Sequence, residues 1–412
     1  MECDVLVVGA GPAGAVAALY CSKNGLDTVL VEKNREVGLH AGRRLDSSPD
    51  TNFELSKIVK ELKLRTEHYV RTSKWFHLPS ARFFVLNSEA GEYYFKRGYD
   101  ENSFERSTVA SALDHGCKLL LNTEVKQVRH DDGKDCKVLL QLRRGGETEK
   151  AQIIKPKVII AADGCHSSLH KHLNLKKRVY RVGRIFGVTG EGFSDDGSSE
   201  VYFDANAIPG GYFYILTAKS GLSTAAIVMP GEIDPKKRFY AFVSKNMHDR
   251  IRHVENEFSG GAVIFKLNRL RRGNVLFVGD AAGLIDPLLG YGMAPAIISS
   301  YLAARCCVDA VRGDDLNIGS LKRYEKEAEV RFKRVLAYLL RGIFEALDDE
   351  YLELVFDMME EMQRRGVDFD KLSNFDMKSM FKAFSAFCEK LPKSAQLLRI
   401  VLKLRMSYGR GM

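Results

Sequence analysis

The segment Gly9-Ala10-Gly11-Pro12-Ala13-Gly14 limits the fold more tightly than any other stretch of the chain. It follows a continuous apolar run over residues 3–8 and opens an alanine-rich stretch over residues 13–24. An apolar run of strand length that meets glycine reads as a buried parallel strand. The first glycine then permits a tight turn, the second lets the backbone approach a pyrophosphate, and the third lets helix and strand pack closely. The helix start adds free N–H groups and a partial positive charge. Residues 28–31 form a second buried strand ending at Glu32, whose carboxylate can accept hydrogen bonds from ribose hydroxyls. Strand, turn, helix, strand and terminal acid in this order make a βαβ dinucleotide site, with Gly9, Gly11, Gly14 and Glu32 as binding residues.

Which dinucleotide is decided late in the chain. A buried strand over residues 274–278 leads into Gly279-Asp280-Ala281-Ala282-Gly283, then Asp286-Pro287 and Gly290-Tyr291-Gly292-Met293. An aspartate at the end of such a strand can hold a ribityl hydroxyl of a flavin. The glycines after it let backbone amides approach the pyrimidine end of the isoalloxazine. A helix starting near Met293 would place its dipole where the negative charge of a reduced flavin resides. Asp163-Gly164, after a buried strand over residues 158–162, is a further glycine turn beside the cofactor. The expected cofactor is therefore FAD.

Between these motifs the pattern changes. Residues 75–97 alternate aromatic and polar side chains around Asn87 and Gly91, as antiparallel strands and a hairpin would, and residues 178–268 alternate in the same way. Residues 107–115 read as a helix, 118–121 and 124–128 as strands, and the chain beyond Ser320 as charged helix. At 412 residues the chain exceeds one ordinary core. The expected class is α/β: a Rossmann-type FAD-binding domain with an inserted, mostly antiparallel β substrate domain and a helical C-terminal region. The FAD-binding domain takes residues 1–74, 98–177 and 269–312; the substrate sheet takes 75–97 and 178–268; the helical region takes 313–412.

Eight cysteines without CxxC spacing indicate neither a zinc site nor a disulfide framework, so no metal is expected. The net charge of +9 favours anionic partners. No basic tract is interleaved with aromatics, so nucleic acid is not expected. No apolar run reaches the roughly 18 residues of a membrane span, and the apolar strand begins almost at the N-terminus. A cytoplasmic protein is expected. Residues 393–410 mix leucines with lysine and arginine as a basic amphipathic helix does, which suits peripheral association with an anionic membrane surface.

The three glycine motifs in this order resemble the FAD-dependent superfamily that includes aromatic hydroxylases and geranylgeranyl reductases, and residues 278–304 look closest to the geranylgeranyl reductase family. That family saturates isolated double bonds in polyprenyl chains. The resemblance implies FAD contacts at Ala13, Gly14, Glu32, Ala41, Gly42, Arg44, Arg106, Val125, Asp280, Gly292 and Met293. It also aligns Gly210-Gly211-Tyr212-Phe213-Tyr214 with the family's aromatic substrate-pocket segment. The chain departs from the family in three places. Ala41 stands where the family has cysteine, Ile215-Leu216 where it has Phe-Pro, and His170 where an arginine is expected after Asp163-Gly164.

The resemblance implies reduction of C=C bonds in an isoprenoid lipid by hydride from reduced flavin. Only one glycine fingerprint is present, so the reductant is external: NAD(P)H, or an electron-donor protein such as reduced ferredoxin. Saturating an alkene also needs a proton donor, for which Tyr212 and Tyr214 are the candidates, with His40 near the flavin as another acid. The same fold and motifs serve flavin monooxygenases that hydroxylate aromatic or polyketide-like substrates, and anaerobic turnover separates the two. A third reading is a flavin-binding protein without catalysis.

Overall fold

A computed structural model describes residues 1–50, 54–70, 72–88, 91–131, 135–144, 147–195, 197–287, 290–313, 318–332, 348–367 and 382. The basic stretch over residues 393–410 lies outside the described residues. The chain divides into two compact units. The first comprises Met1–Glu67, Tyr94–Val182 and Ala262–Lys333; the second comprises His68–Tyr93, Gly183–Gly261 and Arg334–Met412. Of the described residues beyond 312, those up to 332 fall in the first unit, and 348–367 and 382 in the second.

The first unit is built on a sheet whose central strand is Glu2–Val8. Its neighbours run parallel: Thr28–Val31 on one side, with Val5 opposite Thr28, and the end of the Glu147–Ala161 strand on the other, with Val5 opposite Val158. Lys118–Leu120 extends the sheet beyond Thr28–Val31, and Val275–Phe277 extends it beyond Glu147–Ala161. Leu6, Val7, Ile159, Ile160, Leu276 and Phe277 are fully enclosed, which explains why these strands read as unbroken apolar runs. The opposite end of Glu147–Ala161 pairs antiparallel with Asp135–Arg144, which pairs in turn with Thr123–Asp131.

The helix Pro12–Lys23 covers the sheet and packs against the long helix Met293–Arg312. Both are rich in alanine, so their backbones come close. Met293–Arg312 is long and apolar enough to cross a membrane, with a mean hydropathy of 1.3, yet 61% of that window is buried inside the fold. Its apolarity is accounted for by burial on several sides. Cys3, Cys21, Cys117, Cys165, Cys306 and Cys307 are buried free thiols, small apolar fillers of this core.

The second unit is built on a seven-stranded sheet in the order Val254–Leu267, Lys177–Glu191, Leu222–Pro230, Tyr212–Thr217, Ser199–Tyr202, Thr72–His77, Phe83–Ser88, with residues 177–182 and 262–267 of its first two strands counted in the first unit. Its central pairs are antiparallel, and Ser199–Tyr202 with Thr72–His77 is parallel. One face packs Phe186, Phe213, Ile215 and Ile227 on Phe239 and Phe242 of the helix Pro235–Asn246. The other packs Phe76, Phe84, Phe203 and Tyr212 on Leu352 and Phe356 of the helix Asp349–Arg364.

The hairpin expected around Asn87 and Gly91 lies elsewhere. Thr72–His77 pairs with Phe83–Ser88, and the turn runs through residues 78–82, closed by Leu78 N–H donating to Arg82 O at 2.9 Å. Pro79 and a left-handed Ala81 (φ 63°) make that turn. Aromatic residues on both sides of it conceal the break in the sequence. Glu92–Arg97 then joins Arg44–Pro49 in a separate sheet.

Candidate functional site

All residues expected to contact the cofactor lie in the first unit. Two glycine turns at the ends of parallel strands define the site. In the first turn Gly9 has φ 97°, and a Cβ there would lie 2.6 Å from Ala162 O. A Cβ on Gly14 would lie 1.8 Å from Gly9 O, so helix and strand pack closer than any side chain permits. Gly11 is different, because a Cβ there would meet nothing within 4 Å. It caps the helix Pro12–Lys23, and no side chain caps the helix in its place. The amides of Ala13 and Gly14, in the first turn, have no intrahelical acceptor. Open space beside free amides is the cradle a pyrophosphate requires.

Glu32 is buried and already engaged. Its Oε2 accepts from Ala10 N–H at 2.8 Å, and its Oε1 accepts from Asn34 N–H at 2.9 Å and Asn34 Nδ2 at 2.7 Å. Both lone pairs of Oε1 are thereby taken, and Oε2 retains one for a ribose hydroxyl. Thr123 N–H donates to Glu32 O at 2.8 Å, which brings the Thr123–Asp131 strand and buried Val125 beside it. Ala162 N–H donates to Val8 O at 2.8 Å, setting the Asp163-Gly164 turn next to the first turn. Asp163 Oδ2 accepts from Ser168 N–H at 3.1 Å, while its Oδ1 is buried with no partner among the described residues. Burial pushes the Asp163 carboxyl up to about 6. Gly164 has φ 82° and open space where a Cβ would be.

The second turn begins at Gly279 (φ 53°), whose N–H donates to Ser299 Oγ of the long helix at 2.9 Å. A Cβ on Gly279 would meet the Cβ of Ala13 at 3.0 Å, so the two glycine turns approach each other. Asp280 follows, half-buried, and no donor reaches its carboxylate among the described residues. Burial raises its pKa to about 6, against the opposing pull of Arg97 and Arg44. Gly292 caps the helix Met293–Arg312, and a Cβ there would lie 3.7 Å from Asp280 Oδ1. Gly290 (φ 76°) closes the loop by donating to Asp286 O at 3.0 Å, and Met293 is buried at the helix start.

Around Asp280 stands a charged network that the sequence patterns did not reveal. Arg44 Nε donates to Asp46 Oδ1 at 3.0 Å and its terminal nitrogen to Ala41 O at 2.7 Å. Arg97 bridges Asp46 and buried Glu105. Burial opposes the charge on Arg97, but Glu105 and Asp46 hold its pKa above the ordinary arginine value. The cations Arg44 and Arg97 likewise overcome burial at Asp46 and keep its pKa low. Arg97 sits on a strand that otherwise reads as aromatic, and its partners are distant in sequence. Glu92 and Lys96 on the same strand are also charged, so nothing in the sequence set Arg97 apart.

The remaining candidates fall around this core. Ala41 and Gly42 close a short helical turn, Leu39–Ala41, with Gly42 at φ 64°. Arg106 is committed to Glu36 at 2.7 Å and Tyr99 O at 2.8 Å, and half-exposed Arg43 to Asp100 at 2.9 Å. Partial burial with Lys33 and Arg44 nearby lowers the pKa of His40, which stays neutral. His170 explains its own departure from the family arginine. Its Nε2 lies 2.6 Å from Ala281 O, so Nε2 carries the proton and props the Asp280 loop from beneath. Burial keeps this imidazole neutral. Tyr212 and Tyr214 lie in the second unit, with ring centroids 6.2 Å apart. Tyr212 is buried and Tyr214 half-buried in the aromatic face under the Asp349–Arg364 helix.

The chain matches the family described as FAD binding domain over residues 2–338. It is 27% identical over 391 residues to a digeranylgeranylglycerophospholipid reductase of Methanocaldococcus jannaschii, covering 89% of this chain and 93% of that protein. It is 24% identical over 386 residues to digeranylgeranylglycerophospholipid reductase 2 of Methanopyrus kandleri, covering 87% and 91%. Among solved structures, a geranylgeranyl bacteriochlorophyll reductase-like protein from Thermoplasma acidophilum superposes with a TM-score of 0.75 at 23% identity, covering 97% of this chain and 99% of that one.

Proposed function

The chain belongs to the FAD binding domain family, and from that premise we propose that it reduces C=C bonds of a geranylgeranyl-type isoprenoid lipid. The lipid reading is carried by the named relatives, and its flavin half by the Asp280 carboxylate, held half-buried in a glycine loop with no donor among the described residues. A carboxylate kept out of water without a partner is costly, and a ribityl hydroxyl would relieve it. FAD, when bound, supplies the hydride once an external donor, NAD(P)H or reduced ferredoxin, has reduced it.

The chain's own groups do the rest. Gly11 and the first amides of the Pro12–Lys23 helix would hold the pyrophosphate. Glu32 would hold the adenosine ribose, and Asp163, Gly164 and Val125 would line the same end. Gly279, Gly290, Gly292 and Met293 would bring backbone amides and a helix start to the flavin ring, where partial positive charge favours the reduced state. The Arg44–Asp46–Arg97–Glu105 network would fix Arg44, Ala41 and Gly42 behind it. Saturation adds a hydride to one carbon and a proton to the other. For that proton the proposed donors are Tyr212 and Tyr214, the tyrosines of the aromatic segment Gly210-Gly211-Tyr212-Phe213-Tyr214.

The named relatives are reductases of a geranylgeranyl lipid, which favours this reading over oxygen-dependent hydroxylation. The test is anaerobic incubation of the dithionite-reduced holoprotein with a geranylgeranyl glycerophospholipid, followed by mass spectrometry. Gain of two hydrogens per double bond is expected. Unchanged lipid without oxygen, together with a hydroxylated product in its presence, would overturn the assignment. Tyr214→Phe and Tyr212→Phe should each keep FAD, and loss of kcat in one of them identifies the donor. Full kcat in the double variant would remove both.

A further inference from the structure

Nine lysines and arginines fall within residues 164–182 and 262–273, and those two stretches contain no aspartate or glutamate. None of the nine takes part in the cofactor site. The fold gathers the two stretches into one surface of the first unit. The strands Lys177–Glu191 and Val254–Leu267 are sheet neighbours, and Asn268 N–H donates to Lys176 O at 3.2 Å just beyond them. Lys177 Nζ stands 4.0 Å over the ring of Phe265, tying the strands a second time. Arg271 and Arg272 continue the surface on the short strand paired with Leu276 and Val275.

Lys171, Lys176, Lys266, Arg269 and Arg272 are exposed, and none of these five forms an ion pair among the described residues. Glu325 reaches this surface, but it accepts from Leu270 N–H at 2.8 Å. Beside the cations, Val179 is 50% exposed and Val182 48% exposed. Most exposed valines stand alone and signify nothing. Two of them within a dense field of uncompensated cations are a different matter.

We propose that this ribbon surface docks the protein on an anionic phospholipid bilayer. Clustered cations near such a surface are drawn to its negative potential, and apolar side chains among them enter the interfacial layer. The choice of a bilayer over an acidic protein rests on the proposed function, since a phospholipid with polyprenyl chains resides in a membrane. The basic stretch over residues 393–410, outside the described residues, would be an accessory to this surface and not its substitute.

The experiment is flotation of the full-length holoprotein with vesicles of phosphatidylcholine alone or of phosphatidylcholine with phosphatidylglycerol, neither containing isoprenoid lipid. Wild-type protein should float with the anionic vesicles only, and salt should release it. Lys176→Glu with Arg269→Glu should lower the partition coefficient at least about tenfold, with FAD content and melting temperature unchanged. Val179→Ser should lower it by a smaller factor. The double variant should keep full activity on detergent-dispersed lipid, so a docking failure is distinct from a catalytic one. Flotation of the double variant equal to wild type would overturn the proposal. So would complete loss of flotation on removing residues 393–412 with the ribbon intact.

Discussion

The two glycine turns of the first unit hold their carboxylates in opposite states. At the first turn Glu32 is filled: Ala10 and Asn34 satisfy both of its oxygens without any ligand. At the second, Asp280 has no donor among the described residues and a pKa raised by burial to about 6. The Glu32 carboxylate is therefore tied into the fold by the protein's own amides, whereas burial is the main influence on Asp280. Substitutions at Gly14 and Glu32 should act on folding, and those at Asp280 on affinity.

The largest effect should come from Gly14→Val. Its side chain would collide with Gly9 O, and we expect a loss of roughly 4 kcal/mol or more, read as absent soluble protein or a collapsed melting temperature. Gly11→Ala, whose Cβ would meet nothing within 4 Å, should leave the melt of the cofactor-free protein unchanged and weaken FAD. An equal loss of stability in both would erase the distinction between packing glycine and cradle glycine.

The paired aspartate and glutamate variants sharpen the comparison. Glu32→Ala should destabilise the cofactor-free protein by about 1–3 kcal/mol, because it strands buried donors. Asp280→Ala should leave the cofactor-free melt unchanged or raised, yet weaken FAD about tenfold or more, as loss of a charged hydrogen bond does. Isothermal titration and thermal melts separate the two. Full FAD retention by Asp280→Ala would break the assignment of the flavin end.

The smallest effect is a matter of pH. Asp280 and Asp163 have folded pKa values of about 6, against roughly 4 in an unfolded chain. Between those values the folded state binds more protons, so the contribution of these groups to stability falls as pH rises from about 4 to about 6 and is level above. Urea denaturation of cofactor-free Asp280→Asn should show a shallower fall across that window than wild type. Parallel profiles would mean that Asp280 titrates normally.

Much of this was legible in the sequence because it rests on short-range grammar. A glycine turn between an apolar strand and an alanine-rich helix has few structural solutions, and an acid at the end of the next strand completes it. The loop at Asp280 was legible for the same reason. The Asp46–Arg97–Glu105 bridge was not, because three charged residues on separate elements carry no periodic signal until the fold assembles them. The hairpin near residue 80 was misplaced because Ala81, not glycine, takes the left-handed conformation. The apolarity of Met293–Arg312 has its meaning only in the neighbours that bury it.

The pairing of the Glu2–Val8 strand has a consequence for how the protein is made. One neighbour, Thr28–Val31, emerges from the ribosome soon after it, whereas the other is the end of Glu147–Ala161. At ordinary translation rates the interval is on the order of ten seconds. Throughout it the nascent chain presents an apolar strand edge with nothing to bind, so synthesis of this protein calls on chaperones early, and premature termination before residue 161 yields a fragment prone to aggregate.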